Sequence, residues 1–434
     1  MTNGNGNHFE KKKFLFVSWE SLSGDLAWKI QKEGHEVKVF IESKADEDVY
    51  DGILEKVDRW GDYMDWADII VFDDIGFGPT AEKLRKAGKL VVGGSIYADK
   101  TEDDRKFGQD EMKRLGMTTL PNYFFEDFDD AISFLKNTPG RYVMKPSGKA
   151  QNEKNLLFIG EEEDGRDIIE VLEHNKVAWA KKIKAFQLQK FVAGVEVAVG
   201  AFFNGQKFIF PININFEHKK LFPGERGPST WEMGTLMYWT NSSSIFNDTL
   251  AKMENVLAQS SYVGYYDINC IVNGRCIYPL EITARFGYPT ISVQMEGTLT
   301  PMGEFLYNLA KGEDFEIKTK KGFQIGVVMA VPPYPFSSDE IFSMHKDSSI
   351  LFKNPSQSEE VHIGDVKKIN GDFKLAGNTG YALVITGSGL TVEEARAQVY
   401  KRLKNIRLQS MFYRVDIGNR WYRDSDKLQA WGYI

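Results

Sequence analysis

The chain has 434 residues, 42% hydrophobic and 13% aromatic, enough for packed cores and a length that corresponds to about three domains. Its 54 basic and 61 acidic residues give a net charge of −7, which argues against a dedicated nucleic-acid binder, where a basic excess is the rule. Two cysteines (Cys270 and Cys276) exclude a disulfide framework, six histidines are few for a multi-metal protein, and no apolar run reaches the ~20 residues that span a bilayer. The opening MTNGNGNHFEKKK has no apolar stretch, so no secretory signal and a cytoplasmic setting are expected.

Strand and helix patterns alternate over the first hundred residues. FLFVS (14–18) is a strand, LAWKIQKEG a helix ending at Gly34, VKVFI (37–41), DIIVF (68–72) and LVV (90–92) are strands, and AEKLRKAG is a helix before the last of them. This order predicts a parallel sheet with helices on its faces, whose ligands sit beyond the carboxyl ends of the strands. SWESLSGD (18–25) and DDIGFGPT (73–80) fall on that edge; Gly24, Gly76 and Gly78 are either ligand-facing or ordinary turn glycines. Residues 102–115 read as a charged surface helix, and 120–190 as two strand–helix pairs. A strand-rich stretch follows over 186–290. The tail from about 321 carries QIGVVMAV, SEEVHIGDV and YALVITGS, then the helix TVEEARAQVYKRLKNI. Boundaries are expected near 103 and 320, the latter in the charged linker KGEDFEIKTKKG: residues 1–103, 104–320 (with 120–190 a small subdomain) and 321–434.

The most informative stretch is YYDINCIVNGRCIYPLEITARFG (265–287). Asn273-Gly274 between two apolar runs predicts a hairpin, and Asp267 and Glu281 are acids inside its strands, costly unless paired or bound to a cation. A strict two-residue turn would put them on opposite faces. A longer loop, or a bulge at Pro279, would set Asp267 opposite Glu281 with Thr283 on the same face. Two converging carboxylates suit a magnesium ion shared with nucleotide phosphates; a solvated face, or pairing with Arg275 and Arg285, is the other reading. VMKPSGK (143–149) ends a strand with a lysine beside a glycine-containing turn, able to meet phosphate or to be an exposed basic turn. It is not a P-loop, since GxxxxGK[ST] is absent.

Over nearly its whole length the sequence resembles the phosphoribosylamine–glycine ligase family of the ATP-grasp superfamily. The resemblance rests on GDLAWKIQKEGHEVKVF (24–40), KFGQDEMKRLGM (106–117), EHKKLFPGERGPSTWEMGT (217–235), LEITARFGYP (280–289) and FYRVDIGNRW (412–421), in the family's order. It implies an α/β multi-domain ATP-grasp fold with an N-terminal parallel-sheet domain and a small C-terminal α+β domain. It also implies an enzyme of purine biosynthesis that uses ATP and Mg2+ (or Mn2+), as a monomer or homodimer, on small-molecule substrates: an amino acid and an amine such as phosphoribosylamine. By position, Lys145 would bind ATP phosphates, as would Arg105 or Lys106. Gln189, Lys190, Phe191 and Val192 would contact adenine and Glu196 the ribose. Asp267, Glu281 and Thr283 would hold the metal, and Arg285 would stabilise the transferring phosphate. Lys219, Ser229, Thr230, Trp231 and Glu232, with Arg285, would meet substrate.

Departures from the family pattern cluster on the substrate side. The family's ENARFG has Thr283 in place of Asn, and its adenine-contacting Glu is Gln189, which can donate where a carboxylate only accepts. NTGGMG becomes STWEMG, so Trp231 and Glu232 stand where glycines do. The acids of FGDPE become Tyr288 and Thr290, and the GGREH loop becomes ESLSGD. The expected reaction is amide formation through an acyl phosphate, with positioning carrying most of the catalysis. A divergent ligase with another acid or amine, and a non-catalytic nucleotide binder, are the rival readings.

Overall fold

The computed structural model describes residues 9–148, 150 and 156–434; Lys149 of the KPSGK turn lies outside them. Strands β1 (Lys13–Ser18), β2 (Glu36–Ile41), β3 (Glu55–Lys56), β4 (Ile69–Phe72) and β5 (Leu90–Val92) form a parallel sheet in the order β3-β2-β1-β4-β5. Phe14, Phe16, Ile69 and Val71 are buried toward one face and Leu15, Val17, Ile70 and Phe72 toward the other. Burial on both faces is what makes these strands continuous apolar runs.

The segment read as one helix over 102–115 is two helices, Ile96–Asp103 and Arg105–Arg114. Asp104 breaks it: extended at φ −97° and ψ 93°, it caps the second helix by accepting from the Phe107 N–H. A four-stranded antiparallel sheet then collects β6 (Asn122–Phe125), β7 (Tyr142–Pro146), β8 (Phe158–Ile159) and β9 (Phe186–Lys190) in the order β6-β9-β7-β8. With helices Phe128–Asn137 and Arg166–Trp179 it encloses its own apolar cluster.

The largest sheet is antiparallel and carries the site. It includes β10 (Val195–Phe203) and β11 (Phe208–Glu217). A small hairpin, β12 (Lys220–Phe222) and β13 (Arg226–Ser229), stands off it before β14 (Gly234–Thr240), β15 (Gly264–Val272), β16 (Ile277–Thr283) and β17 (Phe323–Ala330). From β16 the sheet runs β16-β15-β10-β11-β14-β17 and on into Tyr381–Gly389 and His362–Ile363. The charged linker at 311–322 therefore divides no sheet: β17 beyond it pairs β14 on one side and Tyr381–Gly389 on the other. Among the described residues no helix is long and apolar enough to cross a membrane.

Candidate functional site

The β15–β16 hairpin turns at Gly274-Arg275, with Asn273 and Cys276 paired and the Asn273 side chain accepting from the Arg275 and Cys276 N–H groups. From there Val272 faces Ile277 and Cys270 faces Pro279, but Asn269 faces Glu281 and Asp267 faces Thr283. The extra residue is Leu280, beside the proline that cannot donate to the ladder; its carbonyl accepts from Gln109 Nε2 at 2.7 Å. The bulge does bring Asp267, Glu281 and Thr283 to one face. It does not set Asp267 directly opposite Glu281, as a one-residue shift would: the turn lies one residue later than Asn273-Gly274, so the two acids are diagonal neighbours.

That face continues across the sheet. Gly200 lies beside Asp267, Ala198 beside Asn269, and Asn213 and Asn215 beside Gly200 and Ala198. A Cβ at Gly200 would fall 1.9 Å from the Tyr265 hydroxyl and 2.9 Å from Asp267 Oδ2, so the glycine makes room for both. Asn213 and Asn215 are buried and hydrogen-bonded, Nδ2 of Asn213 to Oδ1 of Asn215 at 3.0 Å and to Tyr265 at 2.9 Å. Polar residues at every second position of NINFE were a legible sign of this face.

Three cations meet the acids here. The Lys219 ammonium is 3.0 Å from Glu196 Oε1, 3.0 Å from Glu217 Oε2 and 3.8 Å from Glu281 Oε1. Burial opposes its charge, but the three carboxylates hold its pKa well above the ordinary lysine value. Arg105 donates to Glu281 Oε2 at 3.1 Å and to the Pro146 carbonyl at 3.1 Å. Lys145, on β7, is buried; burial brings its pKa down to about 8, against the pull of Glu281 and helped by Arg105 and Lys219. Of the two candidate cations at 105–106, Arg105 enters this cluster. Lys106 does not: it is exposed and pairs with Asp110 at 3.0 Å, one turn along the same helix.

The carboxyl of half-buried Glu196 is held below the usual carboxylate range by Lys219 and Arg420, against desolvation. Glu232 and Asp267 are raised well above that range, first by burial and then by the nearby Glu217. Asp267 accepts from Tyr265 at 3.1 Å; among the described residues Glu232 Oε1 is buried without a partner. Thr230 packs inward and donates through N and Oγ1 to the Lys219 carbonyl at 2.7 and 2.9 Å. Trp231 points out, 45% exposed, edge-on to Tyr334. Ser229 is half-buried opposite Lys220 in the β12–β13 hairpin.

On the small sheet, among the described residues, buried Gln189 has an unpartnered Nε2, and Gln187, facing Lys145 across the strands, has an unpartnered Oε1. Lys190 lies over the Tyr142 ring at 4.5 Å, Arg141 covers Phe191 at 3.6 Å, and Val192 is half-buried. Arg285 stands apart from the Lys219 cluster. Its Nε is 3.2 Å from Glu102 and 3.5 Å from Asp74, which ties the hairpin's end to the parallel-sheet domain. At that sheet's carboxyl edge Asp73 accepts from Ser18 Oγ at 2.7 Å and the Ser23 N–H at 3.0 Å. Burial pushes its pKa up to about 7. Tyr288 donates to the Asp73 carbonyl at 3.3 Å.

Sequence reasoning assigned no role to Glu217, Asn269 or Gln187, nor to the arginines of FYRVDIGNRW. Arg414 is wholly buried and binds Glu225 at 2.7 Å, Asp416 at 2.8 Å and the Lys220 carbonyl at 2.8 Å. Arg420 donates to the Glu217 and Glu196 carbonyls at 3.0 and 2.9 Å. The closing signature thus fastens residues 217–235 against the sheet. Among the described residues no three His, Cys, Asp or Glu side chains are arranged to hold a metal, so a cation here would need amide, hydroxyl or ligand oxygens besides Asp267 and Glu281. The face offers them, in Asn269 with its unpartnered Oδ1 and in Thr283, and the donor set fits a hard divalent cation.

Residues 103–291 match the phosphoribosylglycinamide synthetase ATP-grasp (A) domain, and 324–420 match the C domain of the same synthetase. The phosphoribosylamine–glycine ligase of Halalkalibacterium halodurans is 23% identical over 351 residues, 78% of each chain; that of Streptococcus pneumoniae is 23% identical over 359 residues, 80% of this chain and 82% of its own. Among solved structures, the phosphoribosylamine–glycine ligase of Thermotoga maritima superposes with a TM-score of 0.71 at 22% identity, covering 94% of this chain and all of its own. The biotin carboxylase of Campylobacter jejuni, in its complex with an ATP ligand, gives 0.62 at 13% identity over 98% and 97%. The chain belongs to the phosphoribosylglycinamide synthetase family, ligases built on the ATP-grasp fold that use ATP.

Proposed function

We propose that this protein activates a substrate carboxylate with the γ-phosphate of ATP and joins the resulting acyl phosphate to an amine. The observation that carries the reading is the convergence of Lys145, Arg105 and Lys219 on the face that presents Asp267 and Glu281. Lys145 and Arg105 are positioned to offset charge on the phosphates, and Lys219 ties the acids of three strands into one fixed arrangement. A magnesium ion held by Asp267 and Glu281 would neutralise phosphate charge when bound. Gln187, Gln189 and the β9 end meet the base and ribose together with Glu196. The small four-stranded sheet excludes water from the acyl phosphate by covering the nucleotide.

Glycine and phosphoribosylamine, the substrates in the relatives' names, are the simplest pair. Glu232 favours an acid with a donor group beyond glycine's ammonium, because among the described residues one oxygen of this buried carboxyl has no partner.

Hydroxylamine trapping tests the reaction without knowledge of the amine. With ATP, magnesium and a panel of amino acids, an acid-dependent hydroxamate is expected, and Glu281→Gln should lower its rate by about 10²–10³-fold, the range seen when one preorganised electrostatic group is removed. ATP binding without hydroxamate from any acid, even with phosphoribosylamine generated in place, would instead support a nucleotide-binding protein without turnover.

A further inference from the structure

Asn269 sits in the centre of the site face, and among the described residues its side chain bonds to nothing. It is 6% exposed, its Oδ1 is buried without a partner, and among the described residues no side-chain bond of either amide atom is found. A buried amide oxygen left unbonded costs free energy that a bound ligand can return. The surroundings specify the ligand. Asn269 is directly opposite Glu281 and two residues from Asp267 on the same strand and face, and directly opposed side chains have Cβ atoms about 4.5–5.5 Å apart. Two carboxylates and a neutral amide oxygen on one face make a donor set for a hard divalent cation, which takes oxygen ligands alone.

The hairpin register gives the amide a second significance. Positions 267, 283, 269 and 281 form a rectangle of two opposed pairs. Where ENARFG places its amide at the corner occupied here by Thr283, this chain has only a hydroxyl there, and carries an amide at the diagonal corner. The Leu280 bulge makes this possible, because without the extra residue Asn269 and Glu281 would not be opposite each other.

We propose that Asn269 supplies the amide oxygen to the divalent cation shared by Asp267, Glu281 and the nucleotide, taking over across the hairpin the place that Thr283 leaves to a hydroxyl. The inference rests on the ATP–metal reading above, and its test separates the two. Mn2+ binding is titrated by the electron paramagnetic resonance signal of the free ion, with a non-hydrolysable ATP analogue present, in the full-length protein. Asn269→Ala should weaken Mn2+ binding about tenfold or more, with nucleotide affinity in the absence of metal unchanged. Thr283→Asn alone should tighten it, and Asn269→Ala/Thr283→Asn should recover most of the loss. A merely structural asparagine would not be rescued from the opposite strand. Unaltered Mn2+ affinity in Asn269→Ala, or a loss that Thr283→Asn leaves in place, overturns the proposal. If Asp267→Asn and Glu281→Gln also leave Mn2+ binding intact, the metal face itself falls; if only those two abolish it, Asn269 alone is excluded.

Discussion

Two groups of acids share this site, and they differ in what holds them. Glu196, Glu217 and Glu281 are bound by Lys219, and Glu281 also by Arg105; the backbone beneath them is fastened by Arg420. Glu232 and Asp267, on the same side of the sheet, form no ion pair among the described residues, and burial raises both. Asp73 at the parallel-sheet edge is likewise buried, with one oxygen unpartnered among the described residues. The first group is charge-compensated in the protein alone, even at Glu196 and Glu281, which also face the nucleotide and cation proposed above. The second is costly until something positive or hydrogen-bonding arrives, the signature of groups kept for a ligand.

The sharpest way to break the comparison is to remove an anchor of the compensated group. Arg414 has no exposed surface and compensates Glu225 and Asp416. Arg414→Met should cost about 1–3 kcal/mol, since two partly exposed acids and the Lys220 carbonyl lose the guanidinium that bonds them, read by urea unfolding at pH 7. Both carboxyls are held down to about 2, against burial, by His218 and Arg414 for Glu225 and by Arg414 for Asp416. Groups with lowered folded pKa values stabilise fully above their unfolded values and lose that contribution as pH falls toward 2. The wild-type protein should therefore lose more stability between pH 5 and 2 than Arg414→Met does. A cost under 1 kcal/mol at pH 7 would mean that the 217–235 segment is not fastened from the tail.

The incomplete group predicts the opposite sign. A carboxyl whose folded pKa is raised binds more protons folded than unfolded, so it lowers stability as pH climbs above the ordinary carboxylate value. Glu232→Gln should accordingly stabilise the unliganded protein by about 1 kcal/mol at pH 8 and by little at pH 4. It should also raise KM for the acid substrate. A variant destabilised at pH 8 would show that Glu232 is partnered after all.

Much of this organisation was written locally. The β1, β2, β4 and β5 strands follow their apolar runs, and the helix Val392–Leu403 follows its capping box, Thr391 and Glu394. What failed depended on single-residue geometry or on distance along the chain. The acids share a face only because Leu280 bulges, and one residue of register moves every side chain to the other face. The contacts of Arg414 with Glu225 and Lys220 span 189 and 194 residues, and no local pattern announces them. Asn213, Asn215 and Glu217 were legible in principle, as polar residues alternating through an apolar strand.

The smallest expected effect settles a choice that helix phase controls. Reading 102–115 as one helix leaves the directions of Arg105 and Lys106 open, and the Asp104 cap fixes them. With the helix starting at Arg105, that side chain turns to Pro146 and Glu281, and Lys106 turns to solvent and Asp110. An exposed pair one turn apart contributes about 0.3–0.5 kcal/mol, so Lys106→Ala should leave ATP affinity unchanged and stability within that margin. Arg105→Gln, by contrast, removes a charge from the Lys145–Glu281 neighbourhood and should weaken ATP binding about tenfold, about 1.4 kcal/mol. Calorimetric titration of the two variants with ATP decides it. Equal losses would mean that the phosphates reach past the enclosed cluster to the helix's outer face, and the division between compensated and ligand-seeking groups would have to be redrawn there.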